Sequence, residues 1–170
     1  MILVGIGSNL AAPGFSSPLE TAAGGLAALP EAGIALLAVS RWYLTEPVPA
    51  SDQPWYANAV ASVATRLSPE ALLDALLAVE RRFARRRGAR NAARTLDLDL
   101  LDYDGRECTG PRLTLPHPRL YERRFVLVPL AEIAPGWRHP LLRLGAADLI
   151  ARLPAGQALH PADEPAARPG

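Results

Sequence analysis

Two aspartates one residue apart, Asp97 and Asp99, stand in the stretch R-T-L-D-L-D-L-L-D-Y between Arg94 and Tyr103. On a strand, successive side chains alternate faces, so both carboxylates share one side and Leu96, Leu98 and Leu100 share the other. Like charges this close repel, and a shared face needs a reason. One reason is a hard cation such as magnesium, held by two carboxylates beside a phosphate; the other is an exposed sheet face. Asp102 and Asp104 have the opposite parity and sit at the strand end, which assigns them to a solvated turn.

Upstream, E-R-R-F-A-R-R-R-G-A-R-N-A-A-R places seven arginines between Arg81 and Arg94. Such a segment is a solvated helix face, a phosphate-neutralising loop or an RNA-binding run. In L-P-H-P-R-L, the prolines around His117 hold it in an extended segment where its ring can meet a ligand or serve structure. In D-Q-P-W-Y-A-N, Tyr56 and Asn58 share a strand face, so the ring can stack on a flat heterocycle while the amide bonds its edge, or Tyr56 can be core. G-I-G-S-N near the start is too short for a dinucleotide fingerprint.

The elements that must position these groups follow from periodicity. Met1 to Ile6 reads as a strand, Pro18 to Leu29 as a helix, Ile34 to Tyr43 and Tyr56 to Thr65 as strands. Thr45 to Pro54, with three prolines, is a loop. Ser68 and Pro69 are an N-cap and first helical residue, opening a helix that carries Leu72, Leu73, Leu76, Val79, Glu80 and Phe83 toward Gly88. Leu96 to Tyr103 is the fourth strand. The order βαββαβ predicts an α+β fold of ferredoxin-like plan, an antiparallel sheet with helices packed on one face. Arg124 to Ile133 and Ala146 to Leu153 add a C-terminal helical extension. One domain is expected over 1–153, followed by a Pro/Ala-rich tail, 154–170, expected to be disordered.

At 170 residues and 49% hydrophobic, the chain is long enough for one substantial core. No apolar run approaches the roughly 20 residues of a membrane span. The N-terminus lacks the pattern of a signal peptide, and the single Cys108 excludes an internal disulfide, so a cytoplasmic protein is expected. The net charge of +1 does not itself point to nucleic acid. All 18 basic residues are arginine, so phosphate recognition falls to Arg, His or backbone N–H groups.

Four segments, G-I-G-S-N-L, S-R-W-Y-L-T-E-P with D-Q-P-W-Y-A-N, R-T-L-D-L-D-L-L, and L-P-H-P-R-L-Y-E-R-R-F-V-L-V-P-L-A-E-I-A-P, occur in this order in the 6-hydroxymethyl-7,8-dihydropterin pyrophosphokinases of tetrahydrofolate biosynthesis. The chain resembles that family over about residues 1–136. The resemblance implies transfer of pyrophosphate from ATP to the pterin hydroxymethyl group, with release of AMP. It implies that Asp97 and Asp99 hold two Mg²⁺ ions and that Arg85 and Arg94 meet phosphates during transfer. Arg87, Leu100, Arg112, His117 and Arg123 would contact the nucleotide. Thr45, Tyr56, Asn58 and Phe125 would form the pterin pocket. ATP and the pterin are the implied partners, with no nucleic acid, membrane or obligate protein partner.

Two departures stand out. Asn91-Ala92-Ala93 replaces the family's usual Trp-Gly-Pro in a loop one residue short, and Pro49 replaces a usual glycine. Both spare the metal and ring-binding positions, which implies an active enzyme with altered loop closure or product release. A binder without turnover and a ferredoxin-like RNA-binding module are the other readings. The strands lack the exposed aromatics of an RNA-recognition sheet.

Overall fold

The computed structural model describes residues 1–47, 51–83 and 95–162. Its elements in chain order are β1 (Ile2–Ser8), α1 (Pro18–Ala27), β2 (Ala35–Val39), β3 (Tyr43–Thr45), β4 (Tyr56–Ala64), α2 (Pro69–Phe83) and β5 (Asp97–Tyr103), followed by β6 (Cys108–Thr109), β7 (Thr114–Leu115), α3 (Arg124–Ile133), α4 (Ala146–Arg152) and β8 (Leu159–Pro161). The main sheet runs β5-β1-β4-β3-β8, with β2 also paired to β4. Every pairing in it is antiparallel. No helix among the described residues is long and apolar enough to cross a membrane.

Strand alternation sorts the sheet into two buried faces. Val4, Ile6, Ala59, Ala61, Leu98 and Leu100 meet α1 and α2 through Leu26, Leu72, Leu76 and Val79. Leu3, Val60 and Leu101 meet α3 and α4 through Leu127, Leu130 and Leu149. Each such fully buried leucine contributes about 2 kcal/mol, whereas the Arg82–Glu31 pair, more than half exposed on both sides, contributes no more than about 1 kcal/mol. Apolar packing, not surface charge, holds the layers together.

The helices start where their caps dictate. Ser17 Oγ accepts from Glu20 N–H (3.1 Å) with Pro18 as the first helical residue of α1. Ser68 Oγ accepts from Ala71 N–H (3.2 Å) ahead of α2. Gly25 lets α1 lie against Leu96, the residue before β5, because a Cβ there would stand 2.6 Å from the Leu96 side chain.

Three expectations need correction. The strand expected over Ile34–Tyr43 is two strands, β2 and β3. Ser40 Oγ accepts the Val60 N–H (3.0 Å), a bond that a strand carbonyl would otherwise take, and Arg41 N–H turns to Glu132 on α3 (3.0 Å). Asp102, assigned to a solvated turn at the strand end, is 2% exposed. It accepts from Trp137 Nε1 (2.7 Å) and from Gly105 N–H (2.8 Å). The cause is a bulge: β1 pairs Val4 with Leu100 but Leu3 with Asp102, so Leu101 is an extra residue and the parity beyond it reverses. Asp104 is the surface turn residue expected, paired with the N-terminal ammonium at 2.7 Å. Finally, the tail expected to be disordered from Pro154 contributes β8, which pairs with β3; residues 163–170 lie outside the described residues.

Candidate active site

The face carrying Leu3, Val60 and Leu101 is covered by α3 and α4, but only over part of its length. Toward the C-terminal end of β1 the same face carries Gly5 and Gly7. In register, Gly5 lies between Asp99 of β5 and Val60 of β4, and Gly7 between Asp97 and Asn58. With no side chains on that face of the middle strand, the sheet backbone becomes the floor of an open cleft of about 170 Å³. Asp97 and Asp99 form one wall, Tyr56, Asn58 and Glu46 the other, and Arg123, Phe125 and Val126 at the start of α3 close the end.

Each wall is held from behind. Glu80 on α2 accepts the Leu98 N–H through Oε1 (2.7 Å), tying the acidic strand to the helix. That bond shows that Leu98 directs its backbone outward at the sheet edge, and Leu100, two residues on, presents its backbone to the same edge. On the opposite wall Asn58 Nδ2 donates to Thr45 Oγ1 (2.6 Å), a bond between two buried side chains that sets which way the amide points. Its Oδ1 then lies over Gly7, where a Cβ would be only 2.9 Å away. Only glycine admits this amide orientation without displacement.

Asp99 is the electrostatic centre. Arg123 Nη1 stands 3.3 Å from its Oδ2, and the same guanidinium lies 5.6 Å from the centroid of the Phe125 ring. His117 is tied to β5 by its N–H to Leu101 O (2.8 Å). Its Nδ1 accepts from Arg119 N–H (3.1 Å), which puts the proton of the neutral ring on Nε2, 4.0 Å from Asp99 Oδ2. Burial pushes the His117 pKa below its ordinary 6.5; Asp99 and Asp97 pull it up, and Arg123 and Arg119 push it down. The ring is therefore neutral near pH 7, a hydrogen-bond donor at Nε2 rather than a cation.

The structure thus brings Asp97, Asp99, Tyr56, Asn58, Arg123 and Phe125 into one cleft, with His117 behind Asp99 and Thr45 behind Asn58. Leu100 puts its side chain into the core of the other face, so only its backbone is available there. Arg112 is paired with Asp74 of α2 and does not line the cleft. Arg85, Arg87, Arg94, Pro49 and Asn91-Ala92-Ala93 lie outside the described residues. Gly5, Gly7 and Glu46 were not anticipated. The signal for the glycines was G-x-G inside a strand, which puts two missing side chains on one face.

Among the described residues no group of three or more His, Cys, Asp or Glu side chains converges as a closed metal cage. Two carboxylates on one strand face suit Mg²⁺, a hard ion that takes its remaining ligands from water and substrate phosphates. A donor set of oxygen ligands open to a cleft therefore fits that ion.

The model of the family described as 7,8-dihydro-6-hydroxymethylpterin-pyrophosphokinase matches residues 3–135. A 2-amino-4-hydroxy-6-hydroxymethyldihydropteridine pyrophosphokinase of Pseudomonas aeruginosa is 42% identical over 139 residues, 82% of this chain and 83% of its own. A protein of the same description from Synechocystis is 42% identical over 81% of this chain and 68% of its own. The mitochondrial folate synthesis bifunctional protein of Arabidopsis thaliana is 35% identical over 78% of this chain, which is 23% of that longer protein. The match spans both walls of the cleft and the helix that closes it, and on that extent the chain belongs to the 7,8-dihydro-6-hydroxymethylpterin-pyrophosphokinase family.

Proposed function

We propose that the glycine-floored cleft is where this chain transfers the β,γ-pyrophosphoryl unit of ATP to the hydroxymethyl group of 6-hydroxymethyl-7,8-dihydropterin. The pterin hydroxyl oxygen bonds to the β-phosphorus, the bond from that phosphorus to the AMP oxygen breaks, and the hydroxyl proton is released. The products are the pterin diphosphate and AMP, a step of tetrahydrofolate biosynthesis. The observation that carries the reading is the placement of two same-face carboxylates opposite an aromatic–amide pair across a floor without side chains.

Asp97 and Asp99 would hold two Mg²⁺ ions, which supply charge neutralisation of the triphosphate. Tyr56 and Phe125 offer apolar rings to the flat pterin, and Asn58, its amide set by Thr45, reads the pterin edge. The Gly7 backbone is open to the same ring. Arg123 balances Asp99 and, with the Nε2–H of His117, faces the nucleotide phosphates. The outward backbone of Leu100 suits a contact with the nucleotide base, and Arg112 reaches the nucleotide by exchanging its Asp74 partner. Arg85, Arg87 and Arg94 are assigned to phosphates on their sequence positions. The strand order, with the first strand between the fourth and the third and the split second strand beyond, supports the ferredoxin-like plan. A cytoplasmic location and ATP and the pterin as sole partners complete the reading.

AMP release on incubation with ATP, Mg²⁺ and the hydroxymethylpterin tests it. AMP that requires both the pterin and Mg²⁺ supports the assignment. No AMP, together with RNA binding unaffected by a chelator, sinks it.

A further inference from the structure

The segment after α4 lies past the family-matched residues, yet it touches both the closing end of the cleft and the elements behind its Tyr56 wall. Gln157 is the first contact. Its Oε1 accepts the Arg124 N–H (2.7 Å) and its Nε2 donates to the Glu122 carbonyl (3.0 Å). One amide therefore brackets Arg123 from both sides. Helix α3 starts at Arg124 with no side-chain hydrogen bond from its N-cap residue Arg123. Gln157 supplies the missing cap from a distant part of the chain.

The second contact is β8. Leu159 pairs with Thr45, His160 with Leu44 and Pro161 with Tyr43, and Ala162 N–H reaches Trp42 O (2.8 Å). Strand β3 is thus held from both edges, by β4 and by β8. The His160 ring stacks on Trp55, with centroids 5.6 Å apart and planes 11° apart, one residue from Tyr56. The same short segment therefore grips the start of α3, with Arg123 and Phe125, and the wall bearing Thr45 and Tyr56.

We propose that residues 156–162 are a strap that fixes the closing end of the cleft relative to its Tyr56 wall, with Gln157 as the positioning residue for Arg123 and Phe125. Gln157 touches no reacting atom; it acts through the backbone on either side of Arg123. The proposal rests on the cleft being the pyrophosphoryl-transfer site, so its test carries one readout that needs no turnover.

Amide hydrogen exchange and steady-state kinetics of Gln157→Ala and Gln157→Glu in the full chain decide it. In Gln157→Ala the Arg124 amide exchanges about tenfold faster and KM for both substrates rises about tenfold, while kcat stays within about twofold, as expected for losing one net hydrogen bond that positions without reacting. Glutamate keeps the acceptor for Arg124 N–H but sets a second acceptor oxygen against the Glu122 carbonyl, so Gln157→Glu returns Arg124 exchange to within about threefold of the parent while KM stays raised. Parent-like exchange and KM in Gln157→Ala overturn the strap, as does a loss confined to kcat, or a Gln157→Glu variant whose Arg124 amide exchanges as fast as in Gln157→Ala. A parent chain that releases no AMP sinks the transfer reading instead, and the strap then stands or falls on Arg124 exchange alone.

Discussion

Replacing Asp102 by alanine tests whether the acidic strand is anchored as described. The wild-type carboxylate is 2% exposed and accepts two hydrogen bonds, from Trp137 Nε1 at 2.7 Å and from Gly105 N–H at 2.8 Å. Alanine leaves the indole N–H, on a residue itself 8% exposed, without its acceptor. An unsatisfied buried donor costs about 1–3 kcal/mol, and losing the turn bond to Gly105 adds about 1 kcal/mol, so about 3 kcal/mol is expected. For a chain of this size each kcal/mol moves Tm by about 2–4 °C, which puts Tm about 6–12 °C lower. Asp104→Asn is the comparison. That carboxylate is half exposed and pairs only with the N-terminal ammonium, so its removal costs no more than about 1 kcal/mol. Asparagine also tolerates the left-handed backbone there, φ 54°. Urea unfolding and scanning calorimetry read both variants. A Tm within 2 °C of the parent for Asp102→Ala, or equal losses for the two, would refute the buried-anchor reasoning.

Two further predictions follow from the cleft. Gly7→Ala puts a Cβ 2.9 Å from Asn58 Oδ1, displacing the amide from Thr45; pterin KM should rise about tenfold, the worth of about one hydrogen bond, and an unchanged KM contradicts the floor. Burial holds His117 and His139 below the ordinary 6.5, so the unfolded chain takes up their protons first as pH falls. Their contribution to stability is therefore intact above about pH 6.5 and lost below it. NMR titration of the ring protons should give midpoints under 6.5 for both, and a midpoint at or above 7 for either removes the burial argument for that residue.

Much of this arrangement was legible because it depends on local alternation. L-D-L-D-L sorts three leucines into the core and two acids onto the cleft face, as the pairing of β5 with β1 shows. Ser68-Pro69 announces a helix by chemistry confined to one turn. The failures arise where a distant partner intervenes. Nothing near Asp102 in sequence reveals that Leu101 will bulge or that Trp137 will arrive to claim the carboxylate. Ser40 breaks a strand because its hydroxyl substitutes for backbone against Val60. The Pro/Ala-rich composition after Pro154 conceals β8, whose order comes from β3 and Trp55 rather than from its own apolar content. Gly5 and Gly7 were visible but set aside as too short for a dinucleotide fingerprint, when their meaning lay in the strand period of two.

The central claim is that Asp97 and Asp99, facing an aromatic–amide wall across the glycine floor, serve pyrophosphoryl transfer. Phosphorus NMR of a reaction with ATP, Mg²⁺ and 6-hydroxymethyl-7,8-dihydropterin tests it most directly, run on the parent, Asp97→Ala and Asp99→Ala. Equimolar AMP and pterin diphosphate are expected from the parent, with the rate at least about 100-fold lower in each folded variant. ADP in place of AMP, or near-parental rates in both variants, would contradict it.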